Sequence, residues 1–293
     1  LKPLLNIDGP ARYPFHCRGA IHRGLYNPTT RVQGGINGPP TDRCLKIFPC
    51  KLGLLFVLVA FSAFAEDTDT LLNRAENHYQ LREQRKELQS AILDYQQALQ
   101  SDASSYEAAW RLSKAYWYEG NFSTEKKPAF EKGIEAGKKA VEIDPTNCEG
   151  HFWLGVNYAL LAENSGVFSA LGLVDDVKNE ITQAMELDQN CQCGGPSRVL
   201  GKLYAKLPWF KGGSKKKAVS YLKQSLELCP QDTQSRIFLA EIYEDQGENA
   251  EAMRLLQEVE KMEAPQEWLP ETKANKISAE KMLHELEKSH GKN

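Results

Sequence analysis

From about Leu71 onward, apolar positions recur at helical spacing and prolines are sparse, which predicts a succession of amphipathic helices. The pattern repeats in phase. Trp110-Arg111-Leu112-Ser113-Lys114-Ala115-Tyr116 aligns with Phe152-Trp153-Leu154-Gly155-Val156-Asn157-Tyr158, with Arg198-Val199-Leu200-Gly201-Lys202-Leu203-Tyr204 and with Ile237-Phe238-Leu239-Ala240-Glu241-Ile242-Tyr243. Each carries a leucine, a small residue and an aromatic three positions on. A second predicted helix follows each, closing on Ala-Val-Glu-Ile-Asp-Pro (140–145), Ala-Met-Glu-Leu-Asp-Gln (184–189) or Ser-Leu-Glu-Leu-Cys-Pro (225–230). Ala91, Tyr95, Ala98 and Leu99 mark the second helix of a fainter first unit. The expected fold is therefore all-α, a tetratricopeptide-like α-solenoid of four to five antiparallel helical hairpins. Small residues at Gly155, Gly201 and Ala240 let the two helices of a hairpin approach closely.

The closing residues Ala98, Ala140, Ala184, Ser225 and Val259 are 42, 44, 41 and 34 apart. The three longer spacings predict insertions near 119–130, 162–176 and 206–214. Loops inserted on one edge of a repeat stack are often functional. Val167-Phe168-Ser169-Ala170-Leu171-Gly172-Leu173-Val174 is too apolar for a free loop and is expected to form a short helix folded over the groove. Trp209 and Phe210 either tuck into the groove or meet a partner; burial within the protomer is the favoured expectation.

Composition changes the picture at the N-terminus. Residues 1–65 hold 7 of the 14 prolines and 7 of the 21 glycines, with 8 basic and 2 acidic side chains. The remainder has 28 basic against 37 acidic side chains, an acidic, helix-rich body. Lys46 and Lys51, the apolar run Leu52–Phe61 and the small-x-small Ala63-Phe64-Ala65 read as a secretory signal peptide at 45–65, cleaved after Ala65. Residues 1–44 are then expected to be non-native upstream translation. No cysteine follows the cleavage site, so a lipid anchor is not expected. The product would be periplasmic or secreted. Residues 66–265 form the repeat domain, and 266–293 a C-terminal capping helix and tail. With a net charge of −3 and pI near 6.1, no basic field argues for nucleic acid.

The inserted stretches carry Glu149-Gly150-His151-Phe152-Trp153-Leu154, Ser169-Ala170-Leu171-Gly172-Leu173-Val174, Gly194-Gly195-Pro196-Ser197-Arg198 and Leu207-Pro208-Trp209-Phe210-Lys211-Gly212-Gly213-Ser214-Lys215-Lys216-Lys217. Over roughly 106–262 the chain resembles the T-component family of tripartite ATP-independent periplasmic (TRAP) transporters. That resemblance implies an all-helical periplasmic protein associating with the transporter's solute-binding subunit, able to form homotrimers, with an internal channel for a small apolar ligand. The alternative is a generic tetratricopeptide adaptor for protein partners with no transport role.

In such a stack the first helix of each hairpin lines the concave surface. The expected groove residues are Trp110, Lys114, Trp117 and Tyr118, then Phe152, Val156 and Leu160, then Arg198 and Lys202, with Trp209 and Phe210 from the insertion. Trp110, Trp117 and Phe152 are either open groove or core covered by other segments. Arg198, Lys202 and Lys206 either meet a carboxylate or form a solvated face, the latter being the commoner case. Cys148, Cys191, Cys193 and Cys229 lie in or beside inter-repeat turns. Stacking would allow Cys148 to pair with Cys191 or Cys193, and Cys229 with the other. Metal-binding spacing is missing: Cys-x-Cys is not a zinc motif and His284-Glu285 lacks a second histidine. No catalytic set or cofactor motif is recognised, and His151 reads as a packing residue. The expectation is a non-enzymatic binding protein.

Overall fold

The computed structural model describes residues 66–263 and 265–290. The upstream segment 1–44, the signal segment 45–65 and the last three residues lie outside the described residues. The described chain runs through α1 (Thr68–Gln80), α2 (Arg85–Ser101), α3 (Tyr106–Phe122), α4 (Lys126–Ile143), α5 (Cys148–Glu163), α6 (Val167–Gly172), α7 (Val174–Leu187), α8 (Gly195–Lys206), α9 (Lys215–Leu228), α10 (Thr233–Gln246), α11 (Asn249–Lys261) and α12 (Leu269–His290). Two 3-10 turns, Trp209–Lys211 and Gln266–Trp268, precede α9 and α12.

The pairing is that of a solenoid of helical hairpins, as the in-phase repeat requires. α1 packs on α2, α3 on α4, α5 on α7, α8 on α9 and α10 on α11. Each second helix then packs on the first helix of the next hairpin. In addition α3 touches α5, α5 touches α8 and α8 touches α10, so these first helices form a continuous inner layer. α5 is the pillar of this layer. Twelve of its 16 residues are buried, which fits a helix that is apolar nearly all round.

The small residues act as their spacing suggests. A Cβ on Gly155 would lie 2.7 Å from Ile181 of α7, and one on Gly201 2.7 Å from Leu222 of α9. Between hairpins two and three the glycine faces backbone, which cannot swing aside as a side chain can. A Cβ on Gly137 would lie 2.9 Å from the Leu154 backbone. Beside it, Ser113 donates to Gly133 O at 2.7 Å, and Asn157 donates to Ser113 O at 3.1 Å, a buried polar node joining α3, α4 and α5. Gly137→Val should therefore overpack this seam and cost about 2–3 kcal/mol. Urea unfolding checks this against Gly166→Ala, whose Cβ meets nothing within 4 Å.

The turns between hairpins share a device beyond proline. Asp102, Asp144 and Asp188 each follow the second helix and accept the backbone N–H two residues on, at 2.9, 2.9 and 2.8 Å. This Asx geometry closes the turn whether or not proline follows. In the equivalent place after α9 stands Cys229, and disulfides join Cys148 to Cys191 and Cys193 to Cys229. The turn edge from hairpin two to hairpin five is thus laced covalently. Gln192 and Cys193 hold φ of 49° and 57°, and Gly194 follows at 67°, the tight bend that lets two neighbouring cysteines face opposite ways along the stack.

The structure corrects three expectations about insertions. Residues 119–130 hold no inserted loop: α3 and α4 are simply long, at 17 and 18 residues, with Pro128 in the first turn of α4 where it costs no hydrogen bond. The apolar 167–174 stretch does form a short helix, but α6 rests on α5 and α7 at the stack's edge, away from the groove, with Phe168 92% exposed. Trp209 and Phe210 are not tucked in either. They are 86% and 62% exposed, because Leu207 takes the inward position instead.

Candidate functional site

The inner layer presents a chain of touching aromatic rings. Tyr79 of α1 meets Tyr118 of α3 at 6.2 Å between centroids, Tyr118 meets Trp117 at 6.1 Å, Trp117 meets Trp153 of α5 at 5.1 Å, and Trp153 meets Phe152 at 5.0 Å. Above Trp117, Phe152, Trp153 and Val156 lies a cavity of about 110 Å³. That is somewhat smaller than the roughly 150 Å³ that holds a benzene ring in an engineered apolar cavity. It suits one apolar side chain or one small ring.

The opposite wall is the chain's own C-terminal segment. Trp268, Thr272 and Asn275 line the cavity from that side. The C-terminal half of α12 does cap the stack, with Ala279, Leu283 and Leu286 packed among the apolar residues of α10 and α11. Its first turns do something else: they cross the hollow and latch onto the first hairpin. Arg82, 2% exposed between α1 and α2, makes hydrogen bonds of 3.1 and 2.7 Å to the Glu271 carboxylate and of 2.6 Å to Glu267 O. Lys273 reaches Glu83 at 3.2 Å, and Asn275 donates to Thr233 Oγ1 at 2.8 Å. Lys114 sits under this strap, 3.6 Å from Glu267 and 5.4 Å from the Trp268 ring centroid. Burial pushes its amine below the ordinary lysine range, and Glu267 offsets part of that.

The groove residues expected from sequence distribute as follows. Trp117, Phe152, Val156 and Arg198 line the cavity. Lys114 is buried beside it; Trp110 packs against the same core with Arg111 stacked over its ring at 5.0 Å. Tyr118 and Leu160 are buried. Trp209 and Phe210 lie elsewhere, on the edge. Arg198, Lys202 and Lys206 are not a solvated face. Arg198 binds Asp232 at 2.8 Å, and Lys202, 1% exposed, binds Glu241 at 2.7 Å, with Lys206 3.7 Å from the same carboxylate. Periodicity placed these cations on the inner layer, but the acids that neutralise them come from the next hairpin. Trp153, Trp268, Thr272, Asn275 and Arg82 were missed. Trp153 carried the signal of being one residue from Phe152, whereas 266–275 has no helical apolar stripe to mark it.

Burial pushes the Lys202 amine below the ordinary lysine value, with Glu241 opposing. The folded state therefore binds fewer protons than the unfolded one, and stability should rise with pH between the depressed value and the ordinary one. Lys202→Met should make that slope shallower at little cost, because Glu241 keeps Lys206. Glu241→Gln should instead cost about 3 kcal/mol by stranding a buried cation. Unfolding midpoints across the alkaline range check both. The His151 ring lies 2.7 Å from the Glu180 carboxylate and 3.2 Å from Pro145 O, which fixes it between α5, α7 and a turn. Among the described residues no group of three or more His, Cys, Asp or Glu could hold a metal ion, and no helix is long and apolar enough to cross a membrane.

A tetratricopeptide repeat profile matches residues 213–268. A thermophilic tetratricopeptide protein from Thermus thermophilus superposes with a TM-score of 0.56 at 21% identity, over 72% of this chain and 98% of its own. The chain is a tetratricopeptide-like repeat protein. Pseudomonas aeruginosa pilF (TM-score 0.48, 17% identity, 75% of this chain and 91% of its own) and yeast Tom70 (0.49, 16%, 76% and 40%) are also similar. A profile described as Regulator of microtubule dynamics protein 1-3 matches residues 71–193 of this repeat protein, the part from α1 to the Cys-x-Cys turn. Neither profile is that of the TRAP T component. No curated sequence matches the chain.

Proposed function

We propose that this tetratricopeptide-like protein is a non-enzymatic adaptor whose inner layer takes a segment of a protein partner, with one apolar side chain or small ring of the ligand seated between Trp117, Trp153 and Trp268. One observation carries this reading. Trp117 and Trp153 both line the cavity, and their indole N–H groups are buried just behind its wall with no protein acceptor. Buried donors are nearly always paired, so two orphans beside one apolar hollow fit an incoming backbone carbonyl or carboxylate oxygen. Aromatic anchors of this kind dominate binding energy at interfaces.

The partner's identity follows the finer reading of the sequence. A periplasmic solute-binding subunit remains the proposed partner on the T-component resemblance, and a small apolar ligand in the same hollow is the companion reading. Export is proposed with it, since two disulfides persist in an oxidising compartment and not in a reducing one. Thr272→Phe, which fills the cavity from the α12 side, tests the site. Native mass spectrometry and pull-down from the source organism should show the wild-type partner or ligand and at least a tenfold loss in the variant. Unchanged capture by the filled variant rejects the groove as the binding surface.

A further inference from the structure

The edge of the stack that carries the turns within hairpins is apolar in a way the groove does not explain. Leu81, Phe122, Val167, Phe168, Trp209 and Phe210 are exposed there, at the turns of four successive hairpins. The most prominent pair is held out deliberately. Leu207 is 7% exposed and anchors the loop in the core, while Gly213 N donates to Pro208 O at 3.0 Å and Ser214 N to Tyr204 O at 2.9 Å. Gly212, at φ 88°, closes the knuckle, and a Cβ on Gly213 would collide with Leu207 O at 1.8 Å. The loop is thus clamped with both aromatic rings outside, 6.0 Å apart, although exposing Trp and Phe side by side costs solubility.

Charge singles out the same loop. Between Gln189 and Leu226 the chain has eight Lys and Arg and no Asp or Glu, inside a body that is otherwise acidic. Lys211, Lys215, Lys216 and Lys217 are exposed around the knuckle, and Lys178 of α7 reaches the Tyr204 ring beside it at 5.7 Å. Carboxylates paired with cations of this run include Asp232, 2.8 Å from Arg198, Glu241, which serves Lys202 and Lys206, and Asp245, 3.9 Å from Lys215. Lys211 and Lys216 keep their charge outward.

We propose that this edge docks on an anionic lipid bilayer, with Trp209, Phe210 and Phe168 seated at the headgroup–acyl boundary and the lysines on the headgroups. A projecting tryptophan-phenylalanine tip needs no matching pocket in a bilayer, and tryptophan favours that boundary. Lysines at the tip's base add attraction to anionic lipid, each worth a similar increment that salt weakens. None of these residues lines the cavity, so docking here does not compete directly with a ligand seated there.

The test is sedimentation of the full chain with vesicles of phosphatidylcholine alone, or with roughly one part in four phosphatidylglycerol. All variants carry the same residues 1–65, so any contribution of the apolar run 52–61 cancels. Binding to the anionic vesicles should fall about tenfold or more in Trp209→Ser/Phe210→Ser. It should lose its anionic preference in Lys215→Glu/Lys216→Glu/Lys217→Glu. The wild-type tryptophan emission should shift to the blue on anionic vesicles, and this shift should vanish in Trp209→Phe. Equal binding by wild type and the serine variant, or equal binding to both vesicles, overturns the proposal. So does a serine variant that loses an acidic protein partner while vesicle binding is unchanged. Trp209 and Phe210 are exposed, so these variants keep the fold, which circular dichroism confirms.

Discussion

Replacing Cys193 and Cys229 with serine, or Cys148 and Cys191, should lower stability by about 3–4 kcal/mol for each pair. The bridges close loops with sequence separations of 36 and 43, long enough that the unfolded chain loses much of its freedom when they are formed. The effect should also be regional. Cys191 and Cys193 flank one bend between hairpins three and four, so losing both bridges frees that bend from the turns on either side. A solenoid holds together through neighbour contacts, and a loosened joint lets its two ends unfold separately. Thermal unfolding with and without dithiothreitol checks this. The reduced chain should melt earlier and over a broader range. A transition unmoved by the reductant would show that the bridges contribute nothing.

Arg82→Ala should cost about 3 kcal/mol, because it breaks a buried ion pair and leaves Glu271 facing the phenols of Tyr79 and Tyr118. The guanidinium lies 4.7 and 5.2 Å from the centroids of those two rings, so its packing is lost as well. Burial already pushes the Tyr79 and Tyr118 phenols up, and neither hydroxyl has a protein partner that could take over. The expected consequence is release of Gln266–Trp268 and the first turns of α12 from the hollow, with the rest of α12 still packed on α10 and α11. Amide hydrogen exchange should show faster exchange at 267–275 and unchanged protection in α5 and α8. Uniform loss across all hairpins would mean that Arg82 supports the whole stack and not the strap.

The repeat was legible because it is written twice, in helical period and in phase. Leu112, Leu154, Leu200 and Leu239 occupy equivalent buried sites, and a one-residue error would have turned all four outward. The groove was legible as far as inner-layer residues go, since face follows from helical spacing. What covers that face was not. Trp268, Thr272 and Asn275 sit in a polar stretch whose partners, Arg82 and Thr233, are far away in sequence. No local pattern encodes such a crossing. The same holds for Lys202, whose burial is set by Glu241 of the next hairpin. The edge loops failed for a different reason. Apolar content near 167–174 and 207–210 signals burial in most chains, but the backbone clamp through Gly212 and Gly213 turns Trp209 and Phe210 outward while Leu207 takes the inward place.

The central claim is that binding takes place in the hollow between the first helices and the strap that closes it. A photoreactive amino acid in place of Gln234, which lines the cavity from α10, tests it in the native source with Lys139 of α4 as the control position. The account predicts an adduct from position 234 that disappears when Thr272→Phe fills the cavity. Adducts from position 139 and none from 234 would contradict it.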